Sequence, residues 1–142
     1  MKNKYFKILT LIIILNIYNI NLNAKNNFLE EGKILFEKKN YKNAKFLFER
    51  EIVFNPKNEK AYLYLAKIFN KKKNTALEEI NLDTVLLLDP KNEEAIYYLI
   101  LLEINKSNFS EARNLILTFN SVCKNMCIYK KELDNKLKNS LK

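Results

Sequence analysis

Asn55-Pro56-Lys57-Asn58-Glu59-Lys60-Ala61 and Asp89-Pro90-Lys91-Asn92-Glu93-Glu94-Ala95 are nearly the same seven residues written twice, with their prolines at 56 and 90, 34 residues apart. Each copy follows an apolar run, 46–54 in the first case and 80–88 in the second. Proline pushes the residue before it out of the helical region, so Asn55 and Asp89 should end two helices. Asn58 and Asn92 stand where they can cap the next helix by accepting from its free N–H groups. A helix stop and a helix start recurring at one spacing predict an internal repeat built of helices.

The rest of the chain agrees. Tyr62, Leu65, Ala66 and Phe69 recur three and four apart, as do Phe109, Ala112, Ile116 and Phe119. That spacing puts each set on one face of a helix. The 142 residues include one glycine and two prolines, and 48% are hydrophobic. An all-β fold needs far more turn residues than this. The expected class is all-α, an α-solenoid of antiparallel helix pairs. No single pair can bury both of its faces, so neighbours must stack.

On these residues the chain resembles the tetratricopeptide (TPR) family, whose helix pairs repeat every 34 residues. Counting back from Pro56, a first repeat over 25–56 has Phe28, Gly32, Leu35, Tyr41, Ala44 and Phe48 at the family's packing positions. A second over 57–90 has Tyr62, Leu65, Ala66, Phe69, Leu82 and Val85. A third and degenerate repeat over 91–122 has Ile96, Leu99, Phe109, Ala112, Ile116 and Phe119, and no closing proline. The departures are mostly acidic. Glu31, Glu51, Glu78 and Glu103 stand where the family pattern has apolar residues, and Ile100 stands where it has a small one.

Residues 1–24 read as a separate segment. Lys2, Lys4 and Lys7 precede an apolar stretch over 8–20, and Ala24 offers a small residue for cleavage. This is the layout of a secretory signal peptide, with an apolar stretch shorter than the roughly 20 residues of a spanning helix. The expected product begins at Lys25 and is exported, periplasmic or cell-envelope associated. An uncleaved N-terminal anchor is the alternative. The net charge is +9, and losing three leader lysines leaves 9 − 3 = +6. The basic residues are spread along the chain, with neither a nucleic-acid-binding motif nor interleaved aromatics. No nucleic-acid partner is expected; peripheral contact with anionic lipid is kept open.

Beyond the third repeat, Lys124-Asn125 echoes Lys57-Asn58, and Tyr129, Leu133, Leu137 and Leu141 then recur every four residues opposite a charged face. Residues 123–142 are therefore expected to form a C-terminal capping helix. Cys123 and Cys127 form a candidate disulfide in an exported chain, against the alternative of two small apolar residues at a helix junction.

The chain contains no histidine, so no imidazole can serve a Ser or Cys nucleophile. Its one glycine precludes a glycine-rich phosphate loop. The adjacent pairs Glu30-Glu31, Glu78-Glu79 and Glu93-Glu94 point in different directions on a helix and read as solvated or helix-start charges. Two thiols fall short of a zinc site. The expectation is a non-catalytic scaffold with no cofactor and no metal. The resemblance implies a concave groove lined by the first helix of each repeat, here Leu29, Lys33 and Phe36, then Lys60, Leu63 and Lys67, then Tyr97 and Leu101. Such a groove suits a protein or peptide partner with apolar anchors and acidic residues. It also implies that the family's chaperone-carboxylate clamp is missing, since Leu29, Lys33 and Glu94 occupy its positions.

Overall fold

The computed structural model of the protein describes residues 27–141, and the leader read from the sequence lies outside them. Seven α-helices follow one another among the described residues: α1 (Phe28–Glu37), α2 (Tyr41–Phe54), α3 (Glu59–Lys71), α4 (Thr75–Leu88), α5 (Glu93–Asn105), α6 (Phe109–Val122) and α7 (Lys130–Ser140), with a short 3-10 turn at Cys127–Tyr129 before the last. Consecutive helices pack against one another, and α7 closes over both α5 and α6. The arrangement is an all-α solenoid of three helix pairs and a closing helix.

The two proline junctions end their helices at Phe54 and Leu88, with Asn55 and Asp89 as the residues that step out of the helix. The starts are less uniform than the repeated heptapeptide suggests. Asn92 caps α5 by accepting from Ala95 N–H at 3.0 Å. Asn58 does not cap α3; its side-chain amide donates to Glu51 at 2.8 Å instead. Three asparagines also stand at starts where no proline announces them. Asn40 accepts from Asn43 N–H and Asn74 from Leu77 N–H, while Asn108 points its amide at Glu103. The residue before each of these, Lys39, Lys73 and Ser107, has φ of 58°, 55° and 61°. All three turns within pairs therefore reverse through one left-handed residue.

The core falls into two clusters that share α3. Ala61, Leu65, Ile68 and Phe69 face Ala44 and Phe48 of the first pair. Leu63 and Ala66 face the larger cluster, which runs through Leu82, Val85, Ile96, Ile100, Ala112, Ile116 and Phe119 to Leu133 and Leu137 of α7. Ile100 and Phe119 are fully buried. Gly32 lets α1 approach α2, since an added Cβ would stand 2.6 Å from the Phe48 ring.

Three of the acidic departures are inside this core. Glu51, Glu78 and Glu103 are 4%, 2% and 3% exposed, so Glu78 is not the solvated charge its neighbourhood in the sequence suggests. A buried carboxylate needs partners, and each has an asparagine. Asn55 and Asn58 donate to Glu51, Asn70 to Glu78, and Asn108 with Lys106 to Glu103.

Candidate functional site

A cleft of about 330 Å³ opens between the first helices of the three pairs. Lys33 of α1, Lys60, Leu63, Tyr64 and Lys67 of α3, and Glu94 of α5 line it. The apolar floor and charged rim follow from the helix period. Leu63 is turned inward and only 6% exposed, while Lys60 and Lys67 flank it one turn away on the outer side. Leu63 is therefore floor and core residue together, not an open anchor.

The rim charges are partly answered from within the chain. Lys33 pairs with Glu30 at 2.6 Å, and Lys67 pairs with Glu94. Lys67 also lies 4.8 Å from the centre of the Tyr64 ring, a cation–π contact. Tyr64 in turn stacks on Phe48 at 4.9 Å and meets Phe36 edge-on at 5.2 Å. Burial raises the Tyr64 pKa above its ordinary 10.0, with Lys33 pulling it down. Lys60 is exposed and makes no ion pair among the described residues.

The eight groove residues read from the sequence do not form one surface. Lys33, Lys60, Leu63 and Lys67 share the cleft. Phe36 sits behind it, edge-on to Tyr41 and Tyr64. Leu29 faces a separate recess with Phe54, Asn55 and Pro56. Tyr97 and Leu101 are packed against the larger cluster, with the Tyr97 ring 5.0 Å from Tyr129 and its hydroxyl donating to Glu132 at 3.4 Å. The C-terminal segment thus covers Tyr97 of the third repeat. Tyr64 belongs to the cleft but lies off the family's usual partner-facing positions, so the repeat pattern alone passes over it; its signal was its place one turn before Lys67.

Cys123 and Cys127 are joined by a disulfide, with Cα atoms 5.3 Å apart. It closes a tight loop between α6 and the 3-10 turn. Lys124-Asn125 inside this loop does not start a helix as its echo of Lys57-Asn58 suggested. The backbone N–H groups of Asn125 and Met126 instead donate to the Glu93 carboxylate at 3.0 and 2.8 Å. These bonds, that from Met126 first, hold the Glu93 pKa below its ordinary value. Among the described residues no cluster of three or more metal-ligating side chains occurs, and no helix is long and apolar enough to cross a membrane.

Solved structures share this fold. The first TPR of Spaghetti (RPAP3), bound to the HSP90 peptide SRMEEVD, matches with a TM-score of 0.72 at 18% identity, over 80% of this chain and 90% of that one. The TPR2B domain of yeast Sti1, in its complex with pHsp70, matches at 0.69 and 17% identity, over 80% and 96%. The type III secretion translocator chaperone SycD of Yersinia enterocolitica matches at 0.66 and 15% identity, over 80% and 86%. The chain therefore has the TPR solenoid fold, with three helix pairs and a closing helix. No protein-family model matches it, and no curated protein does.

Proposed function

We propose that this protein is a small exported TPR adaptor, non-catalytic, that binds an extended segment of a protein partner in the cleft between α1, α3 and α5. The observation that carries the reading is the convergence of Lys33, Lys60 and Lys67 around Leu63 and Tyr64. A floor of apolar and aromatic surface under a rim of lysines fits a segment that alternates apolar and acidic side chains. The structural neighbours bound to HSP90 and Hsp70 peptides support peptide binding on this fold. Their ligands do not transfer, because Glu94 puts an acid where the resemblance implies a lysine of the carboxylate clamp. The basic and apolar leader supports export, and service in assembling a cell-envelope complex is the setting we infer for it.

Site-specific photocrosslinking tests this. A crosslinker at Lys60 should capture one defined protein in cells, and one at Lys136 on the far side of α7 should not. Lys33→Glu with Lys67→Glu should abolish the capture from position 60 while leaving the helical circular dichroism unchanged. Equal capture from both positions would remove the cleft from consideration, and a native N-terminus at Met1 would remove cleavage of the leader.

A further inference from the structure

The two edges of the solenoid carry different charge. Because successive helices run antiparallel, the turns within pairs fall on one edge and the turns between pairs on the other. The Lys106 side chain, at the α5–α6 turn, reaches Glu79 near the start of α4 at 2.7 Å, which sets these two turns side by side. The edge between pairs is balanced, with Lys57, Lys60, Lys91 and Lys124 against Glu59, Asp89, Glu93 and Glu94. The edge within pairs is weighted to the basic side: its carboxylates include Glu37 beside the first turn and Glu79 and Glu103, both of which Lys106 binds. Lys38, Lys39 and Lys42 at the first turn and Lys71, Lys72 and Lys73 at the second are all exposed. None has a carboxylate within ion-pair distance among the described residues. Lys39 and Lys73 both take the left-handed conformation, so Lys38 and Lys39 of the first turn recur as Lys72 and Lys73 of the second, while Lys71 corresponds to Glu37 and Lys42 to Ala76.

We propose that this edge docks on an anionic phospholipid surface. The inference goes beyond the adaptor reading and uses none of the cleft residues. Three features select a membrane over other polyanions. The lysines stand on projecting turns and so fit an extended flat surface better than an enclosed ligand. Leu77 and Ile80 of α4 and Phe46 of α2 are exposed within two helical turns of them, where they can enter the headgroup region. The six cations are all lysines, which lack the bidentate guanidinium contacts by which arginine grips nucleic-acid phosphates. A surface potential acting on clustered lysines gives affinity without a shaped pocket.

The test is vesicle flotation of residues 25–142, which contain every buried core residue among those described, from Phe28 to Leu137. Vesicles are of phosphatidylcholine alone or with about 30% phosphatidylglycerol. The chain should float with the anionic vesicles only, and a few tenths molar salt should release it. Each lysine removed should weaken partitioning about fivefold, so K71Q/K72Q/K73Q should lose about a hundredfold. K57Q/K91Q/K124Q removes the same charge from the other edge and should change it little. Equal loss in the two variants would show an effect of net charge alone and overturn the proposal. So would absence of flotation, or binding to polyglutamate or RNA in preference to vesicles. Circular dichroism of both variants confirms that each remains folded.

Discussion

The one glycine of the chain stands against the flat of a buried ring. At Gly32 a methyl group would come within 2.6 to 3.0 Å of three Phe48 ring atoms, and Phe48 is itself fully buried. Alanine is the better helix former by about 1 kcal/mol, but the overlap must move an aromatic side chain with no free space behind it. Gly32→Ala should therefore destabilise the protein by up to about 2 kcal/mol net, read from the urea midpoint. Glu78 makes the opposite case, a residue the fold tolerates at a cost. Burial raises its carboxyl pKa above the ordinary 4.5, and the Asn70 bond only partly offsets this. The folded state thus binds the Glu78 proton more tightly than the unfolded chain does. The stability this contributes is full below the unfolded value and is lost as pH rises through the folded one. Glu78→Gln keeps an oxygen for Asn70 and removes the charge. It should melt a few degrees above the native chain at pH 7, roughly 2–4 °C for each kcal/mol recovered, and the gap should close near pH 4.

Among the elements, the helix ends at Phe54 and Leu88 were readable because proline acts on the residue beside it. Helix α7 was readable as a buried stripe of Leu133 and Leu137, although Leu141 at its end is 50% exposed. What the sequence did not disclose depends on long-range partners. Nothing local says that Asn58 turns to Glu51, or that the loop after α6 folds its N–H groups onto a carboxylate 32 residues earlier. The same holds for the site: helix period located the lysines and Leu63, but the covering of Tyr97 by Tyr129 depends on how the tail returns. That return is held by the disulfide and by Glu93. In the chain-entropy account a loop this short contributes about 2 kcal/mol when closed. Reduction, or Cys123→Ser with Cys127→Ser, should raise amide hydrogen exchange in α7 and leave α2 unchanged. Because bonding holds the Glu93 pKa down, its stabilising effect is present above the ordinary carboxylate range and is lost as pH falls through the depressed value. Glu93→Gln should reproduce that loss at pH 7, seen as faster exchange at Asn125 and Met126.

At the scale of the whole molecule, stability is passed between neighbours instead of gathered in one centre. Among the described residues the two clusters share α3. Truncating Leu133, which is fully buried at the far end of the larger cluster, should cost about 3 kcal/mol there. Hydrogen exchange of Leu133→Ala should show α5 to α7 opening while α1 and α2 keep their protection. Uniform loss across all seven helices would mean that the solenoid folds as one unit.

The buried glutamates bear on how such a chain can change over generations. Glu51 answers amides at the junction of the first and second pairs, Glu78 an amide inside the second, and Glu103 an amide and an ammonium at the third. No two of these sit at the same place in the repeat. A chain of interchangeable units could grow or shrink by copying 34 residues, but here a copied or transposed unit would carry its carboxylate away from its amide. The order of the three pairs is thus locked by mismatched polar keys, and this solenoid can diverge residue by residue far more readily than it can lengthen.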